Sequence, residues 1–515
     1  MQILRCGTIQ IVMPVQPRPL IRRLLWMSAP LAALSLVGGC SLFGDGGPVR
    51  VAAIGALDRN PEQGPPPLSL PDRLLMDATA QGLVSFAADG QIEAGLAERW
   101  TVIDDGRSYI FRLREAHWSD GRPVRAADVA SILRQKMTSP RLRSPLRGEF
   151  SGVRAIFART AKVIEIQLDQ PQPALLDLLA QPDMALMRRG RGWGPWRAEW
   201  EGGTATLSPV PLMTLVDGQA ADDGEDEAGP TVQLWGSTSV RAVAQFEAGE
   251  VDAVLGGRFE GWPMVAAAGL PREAMMLDPV DGLFGLALVN DRGLLGDALV
   301  RDAMGMAIDR QRLVDALGVP GWQPRITIRP QRSGNGAIEP IYPAWVDLSR
   351  AERLRRARTI IADWRARNRG EPARVRIALP EGPGARILFA WINADLTAAG
   401  MEARRVPLSA DADMRLIDDL APSGDEAWYL RRVGCGRGLT CSADAQRLID
   451  AIRKADDPAA RAAAIQSAEE GVMRHAGFIP LAAPMRWSLV SDRTPGLRAN
   501  NRGRHSLIRL RPPPD

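Results

Sequence analysis

The stretch at residues 95–137, GLAERWTVIDDGRSYIFRLREAHWSDGRPVRAADVASILRQKM, constrains the fold more than any other part of the chain. The spacing predicts a short helix over 95–100 and a strand over 101–103. The turn Asp104-Asp105-Gly106 follows, then a strand in which Tyr109, Phe111 and Leu113 share one face. Asp-Gly between alternating runs is a strong short-range hairpin signal. A second such turn, Asp120-Gly121, leads into a helix expected to turn Ala127, Ile132 and Leu133 inward. Nothing in this stretch carries catalytic chemistry, so it reads as scaffold.

A chain of 515 residues is too long for one small core, and two or three domains of roughly 100–200 residues are expected. Hydrophobic residues make up 45% and charged residues 24%, which fits a soluble globular class. Net charge is only +4, and of 64 basic residues only Lys136, Lys162 and Lys454 are lysine. Acids interleave with the arginines except near the end, at Arg498, Arg502, Arg504, Arg509 and Arg511. That tail reads as a solvated end rather than a nucleic-acid patch, so no nucleic-acid partner is expected.

The first 39 residues read as a targeting segment. Arg18, Arg22 and Arg23 precede a mainly apolar run from Leu24 to Val37, long enough for a signal peptide and short for a spanning helix. The run ends in Leu36-Val37-Gly38-Gly39-Cys40. Small residues before a cysteine resemble the lipobox of bacterial lipoproteins. That resemblance implies cleavage before Cys40, acylation of Cys40 and a lipid-anchored place in the bacterial envelope. Residues 40–48 then read as a tether, and Met13 is an alternative start.

Cys6 falls in the removed segment, which leaves Cys435 and Cys441 in a Gly-rich loop. In an oxidising envelope two such cysteines are most simply a disulfide. A metal site lacks ligands: only His117, His475 and His505 exist, none at ligand spacing to these cysteines. No cofactor is expected. Gly-x-Ser-x-Gly, Walker and His-Glu-x-x-His motifs are all absent from the sequence, so the chain reads as a non-enzyme.

Further along, 49–54 reads as a buried strand, 74–83 as a helix, and 84–86 as a strand before Asp89-Gly90. Gly192-Trp193-Gly194-Pro195-Trp196 is a turn; no Lys-Ser/Thr follows it, so it is no phosphate loop. Residues 220–229 form an acidic solvated loop. Residues 300–310 read as one helix, with Ala303, Ala307 and Val314 on a packing face and Asp309 and Arg310 placed for a local pair. Ser349-Arg350-Ala351-Glu352 is a capping box. The strand, helix and strand over 374–406 form a βαβ-type unit that favours parallel pairing. Asp457 caps a helix with Pro458 at its first position, and Gly477 ends it.

Several of these pieces occur together in one known order. The 95–137 stretch, Gly82-Leu83, Leu96-Ala97-Glu98, Gly192-Trp193-Gly194-Pro195-Trp196, Gly249-Glu250-Val251-Asp252, the Val300 to Arg310 segment and Ile479-Pro480-Leu481 resemble the family 5 extracellular solute-binding proteins. The resemblance implies an α/β, two-lobed periplasmic-binding-protein-like fold (type II, large peptide-binding class) with mixed sheets. Lobe I is discontinuous, at 49–279 and 481–515, and lobe II spans 280–480. It also implies a monomeric, periplasmic subunit of an ABC importer. Such a subunit takes a peptide or other small solute between the lobes and delivers it to a permease and its ATPase.

In peptide-binding members an aspartate pairs with the peptide amine. Anchoring on Pro422 puts Asp418 there, with Arg415 where a tryptophan is expected; anchoring on Trp428-Tyr429 and Cys435 puts Ala421 there and loses the charge. The Cys435/Cys441 pair resembles the disulfide of dipeptide-binding relatives. Trp428 and Trp196 are further candidates for lining the cleft, each also readable as core. The alternative is a non-transport envelope lipoprotein, a sensor or chaperone, on the same scaffold with a degenerate site.

Overall fold

The computed structural model describes residues 47–61, 67–138, 146, 148–190, 192–210, 231–332, 337–455 and 457–510. The targeting segment with Cys6 and Cys40, most of the tether, the acidic loop at 220–229 and Arg511 lie outside these residues. Among the described residues no helix is long and apolar enough to cross a membrane.

A seven-stranded sheet organises the first lobe. Its central strand Val49–Ile54 pairs in parallel with Val232–Ser237 on one side and Ala253–Gly257 on the other. Such a strand is covered on both faces, which is why VRVAAI reads as a nearly continuous apolar run. Thr204–Pro209 and Trp196–Glu201 extend the sheet one way, Arg486–Val490 and Met275–Asp278 the other, all by antiparallel pairing.

The second lobe is built on a five-stranded sheet in the order Glu402–Pro407, Arg374–Leu379, Met414–Leu420, Gly282–Leu288, Phe478–Ala482. The first three strands are mutually parallel, and Gly282–Leu288 runs antiparallel to both its neighbours. The helix Pro383–Ala398 makes the expected crossover between Arg374–Leu379 and Glu402–Pro407.

A separate four-stranded antiparallel sheet has the order Ala97–Ile103, Ser108–Leu113, Val163–Leu168, Val153–Thr160. It closes its own core under the helix Ala126–Thr138. The chain passes between the two large sheets twice, from Asp278 to Gly282 and from Ala482 to Arg486. The return begins after Ala482, because Ala482 still pairs with Phe284 in the second sheet.

Four local expectations are corrected. Residues 97–103 are strand, not helix then strand: Ala97–Ile103 is held along its length by Ser108–Leu113. That pairing outweighs the helix preference of Leu-Ala-Glu-Arg. The same segment locks onto Gly82-Leu83, with Leu96 N–H donating to Gly82 O and Ala97 N–H to Leu83 O. A Cβ at Gly95 would stand 2.7 Å from Gly82 O, so these motif pieces are two sides of one backbone contact. In the helix Ala126–Thr138, Ala126, Val129, Ala130 and Leu133 are buried while Ala127 is exposed, an i, i+3, i+4, i+7 face. The helix expected at 74–83 is Leu70–Thr79, started early by a Ser69–Asp72 capping box.

The fourth correction is the 300–310 segment, which is two helices, Ala298–Ala307 and Arg310–Leu317. Asp309 caps the second through Arg312 N–H, and its own N–H donates to the Asp395 carboxylate at 2.8 Å. Arg310 does not pair with Asp309. Its guanidinium donates to the carbonyls of Gly305, Ile308 and Pro480 at 2.7, 2.9 and 2.8 Å, which satisfies acceptors freed by the break. Asp309 instead pairs with Arg350 at 2.8 Å. The capping box at Ser349 and the cap at Asp457 form as expected.

Candidate functional site at the lobe junction

Three segments meet where the two large sheets join. Arg258, Phe259 and Glu260 leave the end of Ala253–Gly257, Arg486 opens Arg486–Val490, and Asp418 lies on Met414–Leu420 of the second lobe. Arg486 Nη1 donates to Asp418 Oδ1 at 2.8 Å, and its Nη2 to the Asp418 carbonyl at 3.2 Å. The other carboxylate oxygen, Asp418 Oδ2, is buried and meets no hydrogen-bond donor among the described residues. Arg258 Nη1 stands 3.8 Å from it.

Burial dominates the electrostatics. It pushes the Glu260 carboxyl above its usual range, and the neighbouring Asp418 charge pushes the same way. It pulls the Arg486 guanidinium below its ordinary value despite Asp418. For Arg258 burial is outweighed by Asp418 and then Glu260, which hold its guanidinium above the usual value. Glu260 Oε2 is buried without a hydrogen-bond partner among the described residues.

The backbone is drawn in as tightly. Gly384 N–H, in the first turn of Pro383–Ala398, donates to Glu260 O at 3.0 Å. A Cβ at Gly384 would stand 2.1 Å from Phe259 O, so only glycine permits this approach. Phe259 packs edge-on against Phe284 of the second lobe at 5.0 Å between centroids, and Phe284 against Trp322 at 5.4 Å. The junction thus has an apolar floor bridging the lobes beneath its charged cluster.

Farther out, Arg431 of the second lobe donates to Glu149 at 2.6 Å and to Asp425 at 2.7 Å. Arg461 also reaches Asp425 at 2.7 Å. Gln181 Nε2 donates to Pro422 O at 2.9 Å, and Arg504 Nη2 to Gln181 Oε1 at 3.1 Å. The segment from Asp418 to Arg431 is therefore gripped from the first lobe at several points.

Of the residues singled out in the sequence, Asp418 alone joins this cluster. Arg415 is three positions away on the same strand, so the alternation of a strand puts the two on opposite faces. Trp428 is fully buried in the second lobe's core, edge-on to Tyr429 at 5.1 Å. Trp196 is 2% exposed in the first lobe's core. Both rings are enclosed by apolar neighbours and offer no open wall. The glycines of the Trp196 turn serve close packing: a Cβ at Gly192 would stand 2.0 Å from Thr79 O. Cys435 and Cys441 form a disulfide. Arg258, Glu260 and Arg486 escaped the sequence reading, because no short motif marks them. Only the return of the chain after Ile479-Pro480-Leu481 hinted that a residue such as Arg486 would stand at the junction.

Residues 91–210 match the family model described as bacterial extracellular solute-binding proteins, family 5 Middle. Among curated proteins, the chain is 31% identical over 137 residues to the probable deoxycholate-binding periplasmic protein YgiS of Escherichia coli (strain K12), covering 22% of this chain and 25% of that protein. It is 24% identical over 317 residues to the periplasmic oligopeptide-binding protein OppA of Salmonella typhimurium, covering 55% of this chain and 56% of that protein. The matched stretches thus span a quarter to just over half of these relatives. Among solved structures, Haemophilus influenzae OppA in complex with RPPGFSPFR superposes with a TM-score of 0.74 at 16% identity, over 90% of this chain and 98% of that chain. The Escherichia coli murein tripeptide binding protein MppA gives 0.74 at 17% identity over the same shares. The fold is the two-lobed one of these binding proteins.

Proposed function

We propose that this chain is a member of family 5 of the bacterial extracellular solute-binding proteins, as its family-model match and its relatives support, and that it is the solute-capturing subunit of an ABC importer. The family is one of binding proteins rather than enzymes. It takes a peptide or similar small solute between its lobes in the periplasm and delivers it to a membrane permease. The observation that carries this reading is the junction itself. Two lobes joined by two crossings meet at a cluster of opposite charges, Arg258, Glu260, Asp418 and Arg486, with Asp418 and Arg486 buried. A gap between hinged domains is where a solute is buried by closure.

Native mass spectrometry on protein isolated from its own envelope tests this. The expected result is a small-molecule mass excess that is lost on denaturation. An empty protein that also ignores a peptide library contradicts peptide capture. Anchoring through Cys40 belongs to the same proposal: Cys40→Ser is expected to move the protein from the membrane to the soluble periplasmic fraction.

One observation favours the second reading, a non-transport lipoprotein on the same scaffold. Asp418 Oδ1 is already bound by Arg486, so an incoming amine has to compete with a buried guanidinium for this acid. A gene neighbourhood without permease and ATPase, together with an empty protein, supports that reading.

A further inference from the structure

Of Arg258, Asp418 and Arg486, Arg258 is the charge open to a solute. The Arg258 side chain is 50% exposed, against 8% for Asp418 and 9% for Arg486. Asp418 is held by two hydrogen bonds from Arg486. Its remaining oxygen is closed off, as is Glu260 Oε2. A solute ammonium entering here has to pull Asp418 away from a buried guanidinium, then sit beside two arginines. Leaving a buried charge uncompensated is among the most expensive changes a protein site can make.

An anionic group meets the opposite situation. It reaches the exposed guanidinium of Arg258 without breaking a hydrogen bond to Asp418, because that ion pair, at 3.8 Å, is beyond hydrogen-bond length. A guanidinium offers a planar fork of donors matched to a carboxylate. A second element points the same way. The 16-residue helix Pro383–Ala398 starts against this loop, and its cap, Gly382, supplies no side-chain acceptor. The positive end of the helix dipole therefore faces the same corner. Glu260 is the group that stands against an anion. Burial and Asp418 push its carboxyl upward, which weakens its hold on Arg258.

We propose that the Asp418 end of the cleft reads a solute's carboxylate, bound by Arg258, while Asp418 serves as the internal partner of Arg486. This inverts the polarity expected of an amine-anchoring aspartate. It rests on the solute-capture reading above.

The test uses di- to pentapeptides built only from glycine, alanine and leucine, in free, N-acetylated and C-amidated forms, with succinate, glutarate and benzoate beside them. Binding to the full mature protein is read by thermal shift and native mass spectrometry. N-acetylated peptides or the small acids are expected to bind, and C-amidation to weaken binding by about tenfold or more, the scale of a lost charge-assisted hydrogen bond. Arg258→Gln is expected to weaken the carboxylate ligands about tenfold to a hundredfold, with Arg258→Lys restoring part of the loss. C-amides that bind while N-acetylated forms do not, or an Arg258→Gln protein that binds carboxylates undiminished, overturn the inference and leave solute capture standing. Silence of the wild-type protein across the whole panel counts against both.

Discussion

Arg486 and Asp418 tie the two lobes together through a buried ion pair, 2.8 Å between Nη1 and Oδ1, from the first residue of Arg486–Val490 in one large sheet to Met414–Leu420 in the other. Removing one partner leaves the other buried and unpaired, so Arg486→Gln or Asp418→Asn alone is expected to cost about 3–5 kcal/mol. The double variant Arg486→Met, Asp418→Leu is expected to recover much of that loss, because a same-sized apolar pair carries no desolvation cost. Urea denaturation of the four proteins measures it. Additive single losses contradict a direct pair.

Arg431 and Glu149 form the outer contact between the lobes. Glu149 is 3% exposed and Arg431 21%, so the pair is shielded and worth more than a surface ion pair. Arg431→Ala is expected to favour the open arrangement in the absence of solute, by about 1–3 kcal/mol. Small-angle scattering should give a larger radius of gyration for the unliganded variant than for the wild type. Identical profiles would mean that this contact does not hold the lobes.

Acid stability should report on Asp252, the last residue of Gly249-Glu250-Val251-Asp252. Burial raises its carboxyl, but hydrogen bonds from the Arg50 side chain and backbone, then the charge of Arg493, outweigh it and hold the carboxyl below the ordinary range. A folded-state value below the unfolded one contributes stability that is complete above about pH 4 and is lost as pH falls through the lower folded value. Asp252→Asn is therefore expected to be less stable at neutral pH and to lose stability less steeply below about pH 4. Thermal melts of both proteins across that window decide it.

The Cys435–Cys441 bridge closes a short loop, so its loss is expected to cost about 2 kcal/mol, the low end for disulfides. Paired Cys435→Ser and Cys441→Ser substitutions, compared by denaturation under non-reducing conditions, measure this. A thiol assay finding two free thiols in the untreated mature protein contradicts the bridge.

Most of the scaffold was legible because its signals are local. The capping box at Ser349, the cap at Asp457, the turn at Asp104 to Gly106 and the alternation of Tyr109, Phe111 and Leu113 depend on neighbours in sequence. Misreadings arose where distant contacts decide the conformation. Leu96 and Ala97 are strand because Gly82, Leu83 and the Ser108–Leu113 strand hold them. The break at Asp309 depends on Asp395, far along the chain. The site was harder for the same reason. Asp418 was found through its spacing to Pro422, but its partners are Arg486 and Arg258, at separations no motif records. Trp428 and Trp196 carry no local sign that distinguishes a cleft wall from a core.

Hinge closure on a solute is the central claim, and small-angle scattering on the mature protein measures it directly. Solute that co-purifies is removed by unfolding and refolding, and the profile is recorded before and after it is restored. The account predicts a smaller radius of gyration on restoration, with the Arg258→Gln protein needing more solute to reach it. A profile that stays the same while native mass spectrometry shows the solute bound would contradict capture between the lobes.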